Sequence, residues 1–429
     1  MSFSEWKKVL LNDVCKEITV GYVGSMASQY IAEGIPFLRS LNVDEFNINM
    51  NELRYISEDF HKKLKKSALT PGDVVIVRTG KPGTCSVIPN WLTTANCSDV
   101  VIVRVDKEID PYFLSAYMNS IGKGHVYSHT VGAVQQHFNV ASAKKLKINL
   151  PPLEEQKAIV KVLSDLDKKI ETNNRINKKL EEMAQAIFKQ WFIDFEFPNE
   201  EGKPYKSSGG EMVESELGMI PKGWVVTSLN DIVDIFNGYS YKGKELSESK
   251  DAMITIKNFD RNGGYKVDGL KEIVISDKVK PHHYVEINDI IVAHTDLTQG
   301  AEIIGNPILV HSKGKYDKLI MSMDTVKVKS KIKEINNALL YFILKDYRFK
   351  QYALGYVNGT TVLHLSKSTI PQYNIAVPTD KSLMIQLGNC LSSVMSKVAN
   401  NVKENEKLIS IRDTLLPKLM SGEIRVPLD

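Results

Sequence analysis

The chain has 429 residues, of which 43% are hydrophobic and 25% charged, with a formal net charge of +4. That length exceeds what one core usually organises, and the composition is ordinary for a soluble globular protein, so two domains are expected. Four scattered cysteines (Cys15, Cys85, Cys97 and Cys390) with no Cys-x-x-Cys indicate neither a zinc site nor a disulfide framework, and reduced, mostly structural thiols are expected.

The opening MSFSEWKKVLLND carries no apolar signal region, and no later stretch reaches the ~20 apolar residues that span a bilayer. A soluble, cytoplasmic protein with no membrane association is therefore expected. The small net charge does not exclude nucleic acid, because acids elsewhere can balance a basic face.

Residues 1–150 read as mixed α/β. VVIVRT, VVIVRV and LKINL are short β-branched runs set off by Gly, Pro and Asn, and PYFLSAYMNS is helical in texture. From 151 to 197 the texture changes to a long helix that Pro152 starts. Ile159, Leu163, Leu166, Ile170, Asn173, Asn177, Leu180, Ala184, Ile187 and Trp191 recur by fours and threes, the a/d seam of a coiled coil. A Gly-containing linker at 198–211 leads to a second globular stretch at 212–378, with AMITI, IIVAHT and YNIAV as strands and NNALLYFILKDY as a helix. A second helix follows at 379–422. Its seam runs Leu387, Leu391, Val394, Val398, Asn401, Asn405, Leu408, Arg412, Leu415 and Leu419, with Arg412 the one poor fit, and Ser421-Gly422 ends it.

The second half repeats the first. Trp6 begins WKKVLLNDV and Trp224 begins WVVTSLNDI; Gly21-Tyr22 answers Gly238-Tyr239, Asn42 answers Asn258, and Asp73 answers Asp289. Gly132 and His137 answer Gly359 and His364, and Pro151 answers Pro378. A unit of this length is a domain and not a solenoid repeat of roughly 20–50 residues. The expected fold class is α+β: two duplicated domains with twisted mixed sheets, separated by two long helices.

The seam asparagines set the pairing of those helices. Asn173 and Asn177 correspond to Asn401 and Asn405 near each helix middle, where a buried amide destabilises unless it finds a partner and in return fixes register. An antiparallel coiled coil brings the two middles together and matches the four amides. A parallel pair also matches them but crowds both domains at one end. A helix of ~36 residues is ~54 Å long, so the antiparallel pair would act as a ruler between the domains.

The Gly-rich loops of both halves carry side chains of the kinds that contact DNA. In the first half these are Gly21, Tyr22, Arg39, Ser40, Asn42, Arg78, Thr79, Lys81, Thr84, Gln135, Gln136 and His137. In the second they are Tyr239, Tyr241, Lys242, Lys257, Asn258, Arg261, His294, Thr295, Thr298, Gln299, Thr360, Thr361 and His364. Arg suits guanine, Asn and Gln suit adenine, and Lys, Ser and Thr suit phosphate oxygens. Corresponding loops hold different residues, as one scaffold reading two sequences would require.

Catalytic readings fail on spacing. Asn149-Leu150-Pro151-Pro152 has an inserted Leu and lacks the aromatic of an amino-methyltransferase loop. Gly80-Lys81-Pro82-Gly83-Thr84 lacks phosphate-loop spacing, and no G-x-G-x-x-G follows a strand. His282-His283 has no metal-ligand partners at suitable spacing. A non-catalytic binding protein is expected, with a stand-alone bipartite DNA-binding protein as the alternative and a methyltransferase or nuclease the less favoured reading.

GIPFLRSLNV, RTGKPG, the run from GAVQQHFNVASAKKLKINLPPLEEQ into the first helix, QWFIDFEFPNEEGKPY and the terminal LLPKLMSGEI together give a resemblance over the whole length. The chain resembles the specificity subunit of type I restriction-modification systems. The resemblance implies two target recognition domains, each reading one half of an asymmetric bipartite site in double-stranded DNA. It implies that the helices dock two methyltransferase subunits, through which restriction subunits join. No cofactor is expected on this chain, and S-adenosylmethionine, ATP and magnesium are expected on those partners. VPTDKSLMIQL in the second copy departs from LPPLEEQKAIV in the first, which removes the Pro-Pro start from the second helix.

Overall fold

The computed structural model describes residues 5–128, 138–261 and 263–428. The chain divides into two compact units, residues 1–170 with 407–429 and residues 171–406, so the division falls within both long helices.

In the first unit a four-stranded antiparallel sheet runs in the order Cys85–Val87, Val74–Val77, Val100–Val105 and Cys15–Val20. Val74–Val77 and the first four residues of Val100–Val105 are continuously apolar because both faces are covered. Val74, Ile76, Val101 and Val103 enter one core with Phe113, Leu114 and Tyr117 of the helix Pro111–Tyr117. Val75, Val77, Val100 and Ile102 enter another with Leu38, Leu69, Ala95 and Cys97. A five-stranded sheet lies beyond that second core, in which Ile35–Leu38 and Ala95–Cys97 pair parallel.

The second unit repeats the plan. Val233–Asn237, Thr325–Ser330, Ile290–Ala293 and Pro307–Leu309 form the antiparallel sheet. Ile290 and Val292 face one core, while Ile291 and Ala293 face another. Asp251–Ile254 and Lys318–Met321 are the parallel pair of the neighbouring sheet. The fold class is α+β, as the sequence leads one to expect. One core position has diverged in kind: Lys327 is 3% exposed, pairs with Asp289 at 3.4 Å and donates to the Tyr284 carbonyl. Burial pushes its pKa down, with Asp289 opposing.

The shared residues of the two copies hold equivalent backbone joints. Gly21 donates to the Val100 carbonyl at 2.9 Å and Gly238 to the Thr325 carbonyl at 3.2 Å. A Cβ at Gly238 would come within 1.9 Å of the Ser322 carbonyl oxygen, so the chain crossing there requires glycine. Asp73 accepts from the Thr70 N–H at 3.0 Å, and Asp289 from the Glu286 N–H at 2.9 Å.

The first long helix spans Leu153–Phe188, and the N–H groups of Glu155 and Gln156 bond the Pro152 carbonyl. The second spans Lys381–Ser421. Asp380 replaces the missing prolines as its cap, accepting from the Ser382 N–H at 2.9 Å, and Gly422 ends it at φ 78°. Within the second unit Asn173 Nδ2 donates to Asn405 Oδ1 and Asn401 Nδ2 to Asn177 Oδ1, each at 2.8 Å. Rising numbers on one helix meet falling numbers on the other, so the pairing there is antiparallel. In the first unit Ile159 and Leu163 share a core with Leu416, Leu419 and Met420. Arg412, the poor seam residue, is held by Asp167 at 2.8 Å. Near the start of the first helix, buried Glu155 accepts from Trp6 Nε1 at 3.2 Å and from Arg425 Nη2 at 2.7 Å, with the Arg425 guanidinium 5.3 Å above the Trp6 ring.

Candidate nucleic-acid interface

In the first unit one carboxylate gathers two of the polar loop segments. Asp99, at φ 56°, accepts from the Ser40 hydroxyl at 2.8 Å and the Thr79 hydroxyl at 3.2 Å. Arg39-Ser40 and Arg78-Thr79 are thereby brought side by side at the ends of their strands. Arg39 bonds the Glu52 carbonyl through Nη2 at 2.7 Å, while the Nε atoms of Arg39 and Arg78 are buried without a hydrogen-bond partner among the described residues. Lys81 is exposed on the turn that follows, and Tyr22 packs edge-on against Phe60 at 5.8 Å. Gln135, Gln136 and His137 lie outside the described residues.

In the second unit the equivalent strand end carries His294-Thr295. His294 takes the place of Arg78 at the end of the central strand, and burial, with Lys367 and His364 nearby, pushes its pKa down to about 4. It is therefore a neutral imidazole at neutral pH, where the first copy offers a guanidinium. Thr295 Oγ1 lies 3.4 Å from Nδ1 of the exposed His364. A three-stranded sheet of Thr295–Asp296, Leu363–Leu365 and Val357–Asn358 brings the 297–302 loop beside the exposed Thr360 and Thr361, and Gln299 Nε2 donates to the Thr360 carbonyl. Lys257, Arg261 and Thr298 line one cavity of about 580 Å³, where Arg261 pairs with Glu302 at 3.0 Å. Lys242 is exposed on a separate turn, and Tyr241 lies under Lys271 at 5.8 Å.

Several residues whose type suits DNA contact are instead occupied inside the fold. Asn42 is fully buried; its oxygen accepts from the Arg39 N–H at 3.0 Å and its Nδ2 donates to the Asn49 carbonyl at 2.9 Å. Asn258 repeats this, accepting from the Thr255 N–H at 2.8 Å and donating to the Lys266 carbonyl at 2.7 Å. These amides substitute for backbone partners in a sharp excursion and have no edge left for adenine. Thr84 and Thr295 are buried, and Gly21 serves the chain crossing. Tyr239 is 6% exposed, with its hydroxyl 2.9 Å from Glu245 and 2.8 Å from Ser276. The acids that shape the loops, Asp99, Asp296 and Glu302, are not of a residue type that points to phosphate or base contact. The positive φ of Asp99 has no signature in SDVV beyond the tolerance of Asp for that region.

The family model for the type I restriction modification DNA specificity domain matches residues 3–182 and again 221–407. The MjaIX specificity subunit of Methanocaldococcus jannaschii is 26% identical over 430 residues, covering 98% of this chain and 94% of the relative. The HindI specificity subunit of Haemophilus influenzae is 26% identical over 350 residues, covering 66% of this chain and 70% of its own. The crystal structure of the type I restriction-modification S subunit from M. genitalium superposes with a TM-score of 0.50 at 14% identity, over 99% of this chain and 97% of that one, a likeness of fold. Matched twice, over both halves of its length, the chain belongs to the family of type I restriction-modification DNA specificity proteins.

Proposed function

We propose that this chain is the sequence-reading subunit of a type I restriction-modification complex. Each recognition domain, residues 1–150 and 212–378, reads one half of an asymmetric bipartite site in double-stranded DNA. The helices at 151–197 and 379–422 dock two methyltransferase subunits, through which restriction subunits join. The chain performs no chemistry itself; S-adenosylmethionine, ATP and magnesium act on the partner subunits, in the cytoplasm.

The observation that carries this reading is the twice-built strand end with exchanged side chains. Equivalent central strands end in Arg78-Thr79 in one copy, with Arg39-Ser40 beside it across Asp99, and in His294-Thr295 in the other. An arginine pair suits guanine, while a neutral histidine offers a different donor and acceptor. Conserved joints with changed side chains are what two half-sites of different sequence require.

Methylome sequencing of cells expressing this chain with its partner subunits tests the proposal. The expected result is one methylated bipartite motif, of which only one half changes when residues 1–150 are exchanged for those of a relative. A change in both halves would overturn modular readout. Methyl transfer by the purified chain alone would overturn the non-catalytic role.

A further inference from the structure

The segment after His294 is held from two sides by two charged residues. The carboxylate of Asp296, 2% exposed, accepts from the Thr298 N–H at 2.9 Å, the Thr298 hydroxyl at 2.8 Å and the Ile303 N–H at 2.9 Å. The ammonium of Lys350, on the helix Tyr347–Leu354, donates to the carbonyls of Ala301 at 3.0 Å, Glu302 at 3.1 Å and Ile304 at 2.7 Å. One residue collects the segment's donors and the other its acceptors. An ammonium has three hydrogens in a tetrahedral spread, and all three are used here.

The segment so held is strained and functionally placed. Ala301 sits at φ 50°, a conformation that a residue with a Cβ adopts only when its surroundings impose it. Gln299 and Gly300 are exposed at the tip, Gln299 reaches the Thr360 carbonyl, and Glu302 pairs with Arg261. Three residues of the candidate interface thus depend on the path of one short segment. Burial pushes the Lys350 pKa down to about 8, with Asp296 opposing, so the ammonium persists at neutral pH.

We infer that Asp296 and Lys350 form a two-ended clamp fixing the path of residues 297–304, which makes Lys350 a positioning residue for sequence readout by the second recognition domain. The inference rests on the DNA-specificity reading above. Lysine suits the role better than arginine, whose planar fork cannot converge on three carbonyls spread around one point.

The test compares the full-length wild type with K350M, K350R and the charge control K278M, an exposed lysine elsewhere in the same unit. Two measurements are made: enrichment from a pool of randomised duplex DNA, and amide hydrogen exchange. For K350M the expected result is faster exchange confined to residues 296–305, and a loss of about tenfold in preference at one half-site with the other half-site intact. K278M leaves both half-site preferences at wild-type levels, and K350R restores less than half of the lost preference. Wild-type exchange at 296–305 in K350M, or both half-site preferences retained, overturns the clamp. If the wild type enriches no sequence, the DNA-specificity reading fails, and the exchange comparison still judges the clamp. Should K350M not fold, D296N removes the opposite end of the clamp and carries the same two readouts.

Discussion

Asn173 Nδ2 donates to Asn405 Oδ1 at 2.8 Å between two buried amides on different long helices. The same Nδ2 also donates to Glu404, and Asn405 Nδ2 in turn reaches Asn174, so neither end of the pair is idle. Replacing one partner strands the other in a buried seam. We expect N405L to destabilise the second unit by about 1–3 kcal/mol, and N173L with N405L together to recover most of that loss. Denaturation midpoints of the four-member cycle measure the coupling. Simple additivity would refute the amide pairing.

Asn42 and Asn258 should behave as structural residues. N42A removes the amide partner of three backbone groups, at Arg39, Asn49 and Asn51, and N258A that of the groups at Thr255 and Lys266, each a loss of about 1–3 kcal/mol. A thermal melt reports it. An unchanged melt with weakened DNA binding would return both residues to the interface.

His294 gives the second unit an acid sensitivity. Its folded pKa of about 4 lies below the ordinary 6.5. Between those values the unfolded chain takes up a proton that the folded one refuses. This residue's contribution is therefore constant above about pH 6.5 and declines as pH falls towards 4, by at most about 1.4 kcal/mol per unit. H294N should flatten that slope in melts between pH 7 and 4.5. An identical slope in the variant would show that other groups dominate.

Arg425 and Trp6 share the buried Glu155 carboxylate. R425A leaves that charge without its cationic partner and should destabilise the first unit by about 3 kcal/mol. E155Q, which keeps an acceptor and removes the charge, should cost less. Equal losses in unfolding experiments would mean that packing on Trp6, and not charge, is what matters there.

The frame was legible because repetition exposes it. Gly21 and Gly238, Asp73 and Asp289, and the seam asparagines recur at matched places, and each holds a joint that both copies need. The same repetition misled at Asn42 and Asn258: a residue kept in both copies more naturally serves what the copies share, the fold, than what distinguishes them. Asp99 and Lys350 were invisible, since hydrogen bonds to a carbonyl or hydroxyl brought close by tertiary structure leave no periodicity or spacing in the sequence.

The first unit is assembled from residues 1–170 and 407–429, with Leu416, Leu419 and Met420 packed in the same core as Val74 and Phe113. A ribosome adding about 5–20 residues per second makes the intervening chain over some tens of seconds. The nascent first domain waits through that interval with one side of its core uncovered. Residues 171–406 form a continuous unit that can close as it emerges, so the half made first is the half finished last. Chaperone contact during synthesis should fall on the first domain, and translational pauses late in the message should bear on it more than early ones do.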